Sequence, residues 1–293
     1  MNGNWSLGSE RGTGARIPAP AKASVAPMPP PPKPEWDISD PDPALFGALR
    51  RAAKRIALGV VDRGWFGLTP LETHLVVCGF PRSGSTLLQV MIETCFAGAK
   101  VFSRETRGLR MAHYALRNQT VMITKRPRDV FWMDDIRAFY ARRRAKARFV
   151  LTIRDPRAVL TSYHAGWAER GHYLTPTQWR AHYEHYRYAR RFEDTMIVEF
   201  ADLVSDPHGV QKRLSEYAGC AVERPFDQFH LVASKDRIAL NGIRPLDRSA
   251  IDKWRDPKHR ERMRRLLDEI PELPERIIEM GYETDTRWTA DYA

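Results

Sequence analysis

The apolar run Leu75-Val-Val-Cys78 ends in Gly79-Phe-Pro-Arg-Ser-Gly-Ser-Thr86, and TLLQVMIETCF continues at helical spacing. A buried strand, a glycine-bearing turn and a helix in immediate succession commit this part of the chain to a layered α/β arrangement. The glycines let successive N–H groups point inward, and the helix adds the positive end of its dipole, so the turn is an anion nest. Its outline is G-x-x-x-x-G-K-[ST], yet Ser85 stands in the lysine position and Arg82 lies inside the loop.

Further apolar runs at 121–124, 149–153 (FVLTI) and 196–200 (MIVEF) alternate with helical stretches. This alternation predicts a three-layer α/β fold with a mainly parallel central sheet flanked by helices. Arg154-Asp155-Pro156 follows the third strand at once, with Asp155 placed to cap a helix that has Pro156 at its first position. A nucleotide triphosphatase needs the missing lysine on the β/γ-phosphates and an acidic strand end for magnesium. Here the strand ends in Arg154, which repels magnesium. The site is suited to an anion neutralised by arginine and backbone donors.

At this point the sequence resembles the sulfotransferases that use 3′-phosphoadenosine 5′-phosphosulfate (PAPS), which share a P-loop NTPase-like fold. Phe80-Pro-Arg-Ser-Gly-Ser-Thr86 looks like their 5′-phosphosulfate loop, and Arg154-Asp-Pro-Arg-Ala-Val-Leu-Thr-Ser162-Tyr163 like their 3′-phosphate element. Phe200-Ala-Asp-Leu-Val-Ser-Asp-Pro207 is similar to a strand-end signature of the family, with Phe200 in a tyrosine's place. Arg248-Ser-Ala-Ile-Asp-Lys-Trp254 resembles the late loop that closes over the nucleotide. The resemblance implies donor contacts from Pro81, Arg82, Ser83, Gly84, Ser85, Thr86, Leu87, Arg154, Ser162, Phe200, Arg248, Ser249 and Trp254, with Arg248 on the 3′-phosphate. It implies release of the bisphosphate product PAP and no required metal.

The K-x-H motif that carries the base in the small-molecule members is absent, since Lys125-Arg-Pro-Arg-Asp129 follows the strand at 121–124. The likeness is therefore closer to the bacterial and glycan-modifying branch. It implies that Arg82 and Lys125 act on the transferring group and that Glu105 is the general base, with Asp129 and His113 as alternates. The competing reading of Glu105 is a solvated carboxylate paired with Arg104 or Arg107. The implied reaction moves the sulfuryl group from PAPS to a hydroxyl, or less readily an amine, of a carbohydrate or glycolipid. A nucleotide kinase or NTPase, and a non-catalytic module for nucleic acid or membrane, are the alternatives.

The 293 residues carry a net charge of +11, which favours anionic partners. No nucleic acid is expected once the nucleotide motifs are weighed. Residues 1–42 are rich in Pro and Ala and read as a disordered tail; 43–70 read as a basic amphipathic helix with a linker, and 71–290 as the catalytic domain. The helix at 44–61, with Arg50, Arg51, Lys54 and Arg55 on one side, packs on the domain or touches a membrane peripherally. The run Arg142-Arg-Arg-Ala-Lys146 reads as a solvated helix end that could also recruit an acidic glycan. The cysteines Cys78, Cys95 and Cys220 form no disulfide or zinc pattern. The expected location is the cytoplasm or the inner face of its membrane.

Overall fold

The apolar run before the glycine loop forms β1 (Thr73–Gly79), buried throughout after Thr73. A computed structural model of the chain describes residues 28–37, 48–114, 118–164, 171–233 and 242–292. Helix α1 (Ala48–Asp62) precedes β1, and α2 (Ser85–Cys95) follows the loop. Then come β2 (Phe96–Ala97), β3 (Ala99–Val101), α3 (Gly108–Tyr114), β4 (Val121–Lys125), α4 (Met133–Tyr140), β5 (Lys146–Ile153) and α5 (Pro156–Leu160). The chain continues through α6 (Pro176–Ala189), β6 (Thr195–Glu199), α7 (Phe200–Ser205), α8 (Pro207–Ala218), β7 (Ala221–Val222), α9 (Arg260–Glu269) and α10 (Leu273–Glu279).

The main sheet runs β3-β4-β1-β5-β6 with every pairing parallel. β2 and β7 form a separate antiparallel pair. Residues alternate faces along β1. Val76 and Cys78 enter the core shared with Ile136 of α4, Trp179 and Tyr183 of α6, Met263 of α9 and Ile277 of α10. Leu75 and Val77 face Leu88 and Met91 of α2 and Leu214 of α8. Helices thus cover both faces, which is why the central strands are apolar without interruption. Each carboxyl end of the sheet opens on one edge, and β1 is where the connections turn from the β3–β4 side to the β5–β6 side. Open parallel sheets bind ligands at such a switch point.

Of the tail expected over 1–42, residues 1–27 and 38–42 lie outside the described residues. The described stretch 28–37 corrects the expectation for that part, because it packs on the domain. Trp36 meets Phe131 edge to face at 5.4 Å. The buried Asp37 carboxylate accepts from Arg126 Nη2 at 2.5 Å and Trp132 Nε1 at 2.7 Å, and Lys33 pairs with Asp135 at 2.6 Å. One aromatic anchor and one fully partnered carboxylate offset the ordering entropy that the composition alone suggested could not be met. In the helix expected over 44–61, residues 44–47 and the side chains of Arg50, Arg51, Lys54 and Arg55 lie outside the described residues.

Candidate active site

Gly79 ends β1 with φ +119°, and a Cβ there would come 2.4 Å from the Thr152 carbonyl oxygen. Only glycine lets the loop leave the sheet this close to β5. The Phe80 N–H donates to that same carbonyl at 3.0 Å. Ser83 Oγ lies 2.7 Å from Thr152 Oγ1 and also bonds the Phe80 carbonyl, while Thr152 Oγ1 donates to the Cys78 carbonyl. The Ser83 side chain is buried inside the loop and holds the loop's shape. Gly84 (φ +87°) caps α2, and a Cβ on it would meet the Phe200 ring at 2.7 Å. Arg82 adopts a left-handed φ of +64°, a strained state for a side chain of this size.

The loop borders a cleft of about 1130 Å³. Pro81, Arg82, Gly84, Ser85, Thr86, Leu87, Glu105, Lys125, Arg154, Ser162, Phe200 and Trp254 line it, together with the unforeseen Tyr163, His164 and Tyr173. The strand order explains the convergence. Arg82 follows β1, Glu105 follows β3, Lys125 ends β4, Arg154 follows β5 and Phe200 follows β6.

Two groups form within the cleft. In the first, Arg82 Nε donates to Ser162 Oγ at 2.8 Å, and Arg154 Nη1 donates to the Arg82 carbonyl at 3.1 Å. The Arg154 guanidinium also lies 4.2 Å over the Phe200 ring and bonds the Ala250 carbonyl. Burial, then the neighbouring Arg82, draws the Arg154 pKa down to about 10, and burial lowers that of Arg82 too. Neither makes a salt bridge among the described residues, and Arg154 Nε is buried with no hydrogen-bond partner. Asp155 is the nearest carboxylate in sequence, but it caps α5 and is bound by Arg157 at 2.8 Å. Two desolvated cations with an unused donor are an incomplete arrangement that an anion would complete. Arg82 thus lies with Ser162 and Arg154 on the cleft wall.

In the second group, Lys125 Nζ lies 3.1 Å from Thr86 Oγ1 and 3.3 Å from Glu105 Oε2. Lys125 is buried and the Glu105 side chain is half exposed. Glu105 therefore pairs with the cleft lysine. The Thr106 N–H donates to the Lys125 carbonyl at 3.0 Å, tying the Glu105 loop to β4. The alternates fall elsewhere. Asp129 is buried off the cleft, accepting from the Gly108 N–H at 2.7 Å, and desolvation pushes its pKa up to about 7. His113 is exposed and packs on Phe139 at 4.5 Å.

The late loop departs from expectation. Arg248 is exposed and donates to the Ser205 carbonyl at 3.0 Å, and Ser249 bonds Asp247, so neither side chain lines the cleft. Asp247 caps the turn over Arg248–Ala250 through the Ser249 N–H, which turns Arg248 outward. Trp254 does line the cleft, but its ring lies against Arg157 at 3.9 Å. Arg157 was not singled out in sequence. It is buried between Trp254 and Trp288 and pairs with Asp155 and Glu283, tying the C-terminal segment to α5. Apart from Asp155, its partners Trp254, Glu283 and Trp288 are far away in sequence, so its role was not legible locally.

Residues 95–224 match the profile described as the sulfotransferase family. Over these residues the chain is similar to sulfotransferases. The matched residues include Glu105, Lys125, Arg154, Ser162 and Phe200 and begin at Cys95, the last residue of α2, so they leave out the glycine loop. Among solved structures, the chain is similar to a sulfotransferase domain from the Synechococcus PCC 7002 olefin synthase, at 19% identity and TM-score 0.47 over 64% of this chain and 89% of that one. It is also similar to a sulfotransferase domain from the curacin biosynthetic pathway, at 15% identity and TM-score 0.44 over 64% of this chain and 92% of that one. A search of curated proteins found no match. Among the described residues, no helix is long and apolar enough to cross a membrane. No three or more His, Cys, Asp or Glu among them could together hold a metal ion.

Proposed function

We propose that this protein is a sulfotransferase that takes PAPS as donor and a hydroxyl of a carbohydrate or glycolipid as acceptor. The observation that carries the reading is the division of the cleft into an arginine group, Arg82–Ser162–Arg154, and a lysine–glutamate group, Lys125–Glu105 with Thr86. Sulfuryl transfer needs charge neutralised at the nucleotide phosphates, a donor on the bridging oxygen and a base for the acceptor proton. Arg154 and Ser162, with Arg82, fit the 3′-phosphate. The amides after Arg82, the start of α2 and the Ser85 and Thr86 hydroxyls fit the 5′-phosphosulfate.

When bound, PAPS supplies an activated sulfuryl group on a phosphate leaving group. Glu105 accepts the acceptor hydroxyl proton as the oxygen–sulfur bond forms, and Lys125 neutralises the leaving phosphate oxygen as its bond to sulfur breaks. The half-exposed Glu105 can meet an incoming hydroxyl, while Lys125 is held from behind by Thr86. Tyr163 and Tyr173 on the cleft wall suit a sugar ring face. The proposed location is the cytoplasm, with peripheral attachment to the inner membrane face.

The deciding test is calorimetric binding of PAP and of ATP with magnesium, followed by turnover of labelled PAPS against an acceptor panel. PAP binding that is lost in Arg154→Ala, with sulfated sugar as product, is the expected result. Preference for ATP with magnesium overturns the proposal.

A further inference from the structure

The amino edge of the sheet, opposite the cleft, carries a feature that folding alone does not explain. Between Gly64 and Gly67 the chain turns through Trp65 and Phe66. Phe66 is 91% exposed and Trp65 54% exposed. Phe66 also holds φ +57°, a left-handed backbone that costs a bulky residue free energy. Strain that exposes an aromatic ring is unusual for a surface turn, since neither the backbone nor the side chain gains from it within the fold.

The surroundings are basic. The exposed Arg63 lies 5.6 Å over the Trp65 ring. Asp62 pairs with Arg143 at 3.4 Å, which brings the loop of exposed Arg142, Arg143 and Arg144 beside the turn. The exposed Lys146 begins β5 directly after it. Arg63, Arg142, Arg143, Arg144 and Lys146 therefore stand near the turn, with Arg143 paired to Asp62 and the exposed Glu72 just before β1. Two aromatic rings projecting from a tight turn, flanked by arginines, match the composition of interfacial anchors, where Trp and Phe enter the headgroup boundary and basic side chains meet lipid phosphates.

We infer that the Trp65-Phe66 turn and the Arg142–Arg144 loop form a docking surface for an anionic phospholipid bilayer. The inference is independent of the donor and acceptor proposed above, and it locates membrane contact on this edge and not on the length of the 44–61 helix. It also orients the enzyme. The strands are parallel and the cleft lies at their carboxyl ends, so docking turns the cleft away from the bilayer. Acceptors reaching it come from solution, or carry their sugar well clear of the headgroups.

The test is sedimentation of the full chain with vesicles of phosphatidylcholine alone and of phosphatidylcholine mixed with phosphatidylglycerol. Wild type should pellet with the mixed vesicles and be released by salt. Trp65→Ser with Phe66→Ser, and separately Arg142→Glu with Arg144→Glu, should each weaken binding by roughly tenfold or more. Both variants should keep wild-type melting temperatures and PAP affinity, because these side chains lie on the surface and away from the cleft. Wild type that stays in the supernatant with mixed vesicles overturns the inference, as do variants that bind like wild type. Light scattering that shows a dimer dissociated by Phe66→Ser, without vesicle binding, assigns the turn to self-association and also overturns it.

Discussion

Arg82 Nε donates to Ser162 Oγ at 2.8 Å, which joins the loop after β1 directly to the end of α5. The bond aims a guanidinium held on a left-handed backbone toward the Arg154 side of the cleft. Arg82→Ala and Arg154→Ala should each weaken PAP binding by about 100-fold, and Ser162→Ala by about tenfold, on the scale of charge-assisted hydrogen bonds. Isothermal titration measures this. An unchanged PAP affinity in Ser162→Ala would remove the junction from the donor site.

Glu105→Gln should lower kcat by roughly 10² to 10⁴ while leaving PAP affinity within a few-fold, because the amide keeps the shape and loses the base. Lys125 also loses its anionic partner at 3.3 Å, so Lys125→Ala is the necessary companion. Turnover of the glutamine variant within a few-fold of wild type would return Glu105 to the role of a surface ion pair.

Gly79→Ala tests the loop's exit from the sheet. The added methyl would approach the Thr152 carbonyl oxygen at 2.4 Å on a backbone that alanine disfavours. A loss of more than about 2 kcal/mol in urea unfolding is expected, from strain and from separation of β1 and β5.

Asp37→Asn tests the attachment of the segment 28–37. The substitution removes the charge facing Arg126 and Trp132 but leaves Arg126 with Asp129 at 3.4 Å. A loss of about 2 kcal/mol is expected, below the usual cost of breaking a buried pair because one partner remains. Unfolding that matches wild type would show that the segment adds nothing to stability.

Asp129 sets a pH dependence. Desolvation raises its folded pKa to about 7, so between an ordinary carboxylate pKa and pH 7 the folded state binds more protons than the unfolded state. Its contribution therefore falls as pH rises through that window, by at most about 1.4 kcal/mol per pH unit. His182 acts in the opposite sense, because burial lowers its pKa to about 3 and the unfolded chain gains protons first on acidification. The difference between the wild-type and Asp129→Asn stability curves isolates the aspartate. Wild type should gain stability relative to Asp129→Asn as pH falls from 7, and a flat difference curve would contradict the assignment.

The sequence by itself determined the layered fold, because its signals are local. Apolar runs without polar interruption specify strands covered on both faces, and a glycine loop between strand and helix specifies an anion nest. The Asp155-Pro156 cap was readable for the same reason, and the structure has Asp155 accepting from the Arg157 N–H. The edge strand β3 escaped notice because three residues carry too little periodicity. Tertiary structure decided what distant partners decide. The strand order brought Glu105 to Lys125, the return of α5 brought Ser162 to Arg82, and the Asp247 cap turned Arg248 away from the cleft. It also drew Trp36 and Asp37 out of a stretch whose composition reads as disorder, since ordering depends on the free energy of the best buried contacts and not on the average residue.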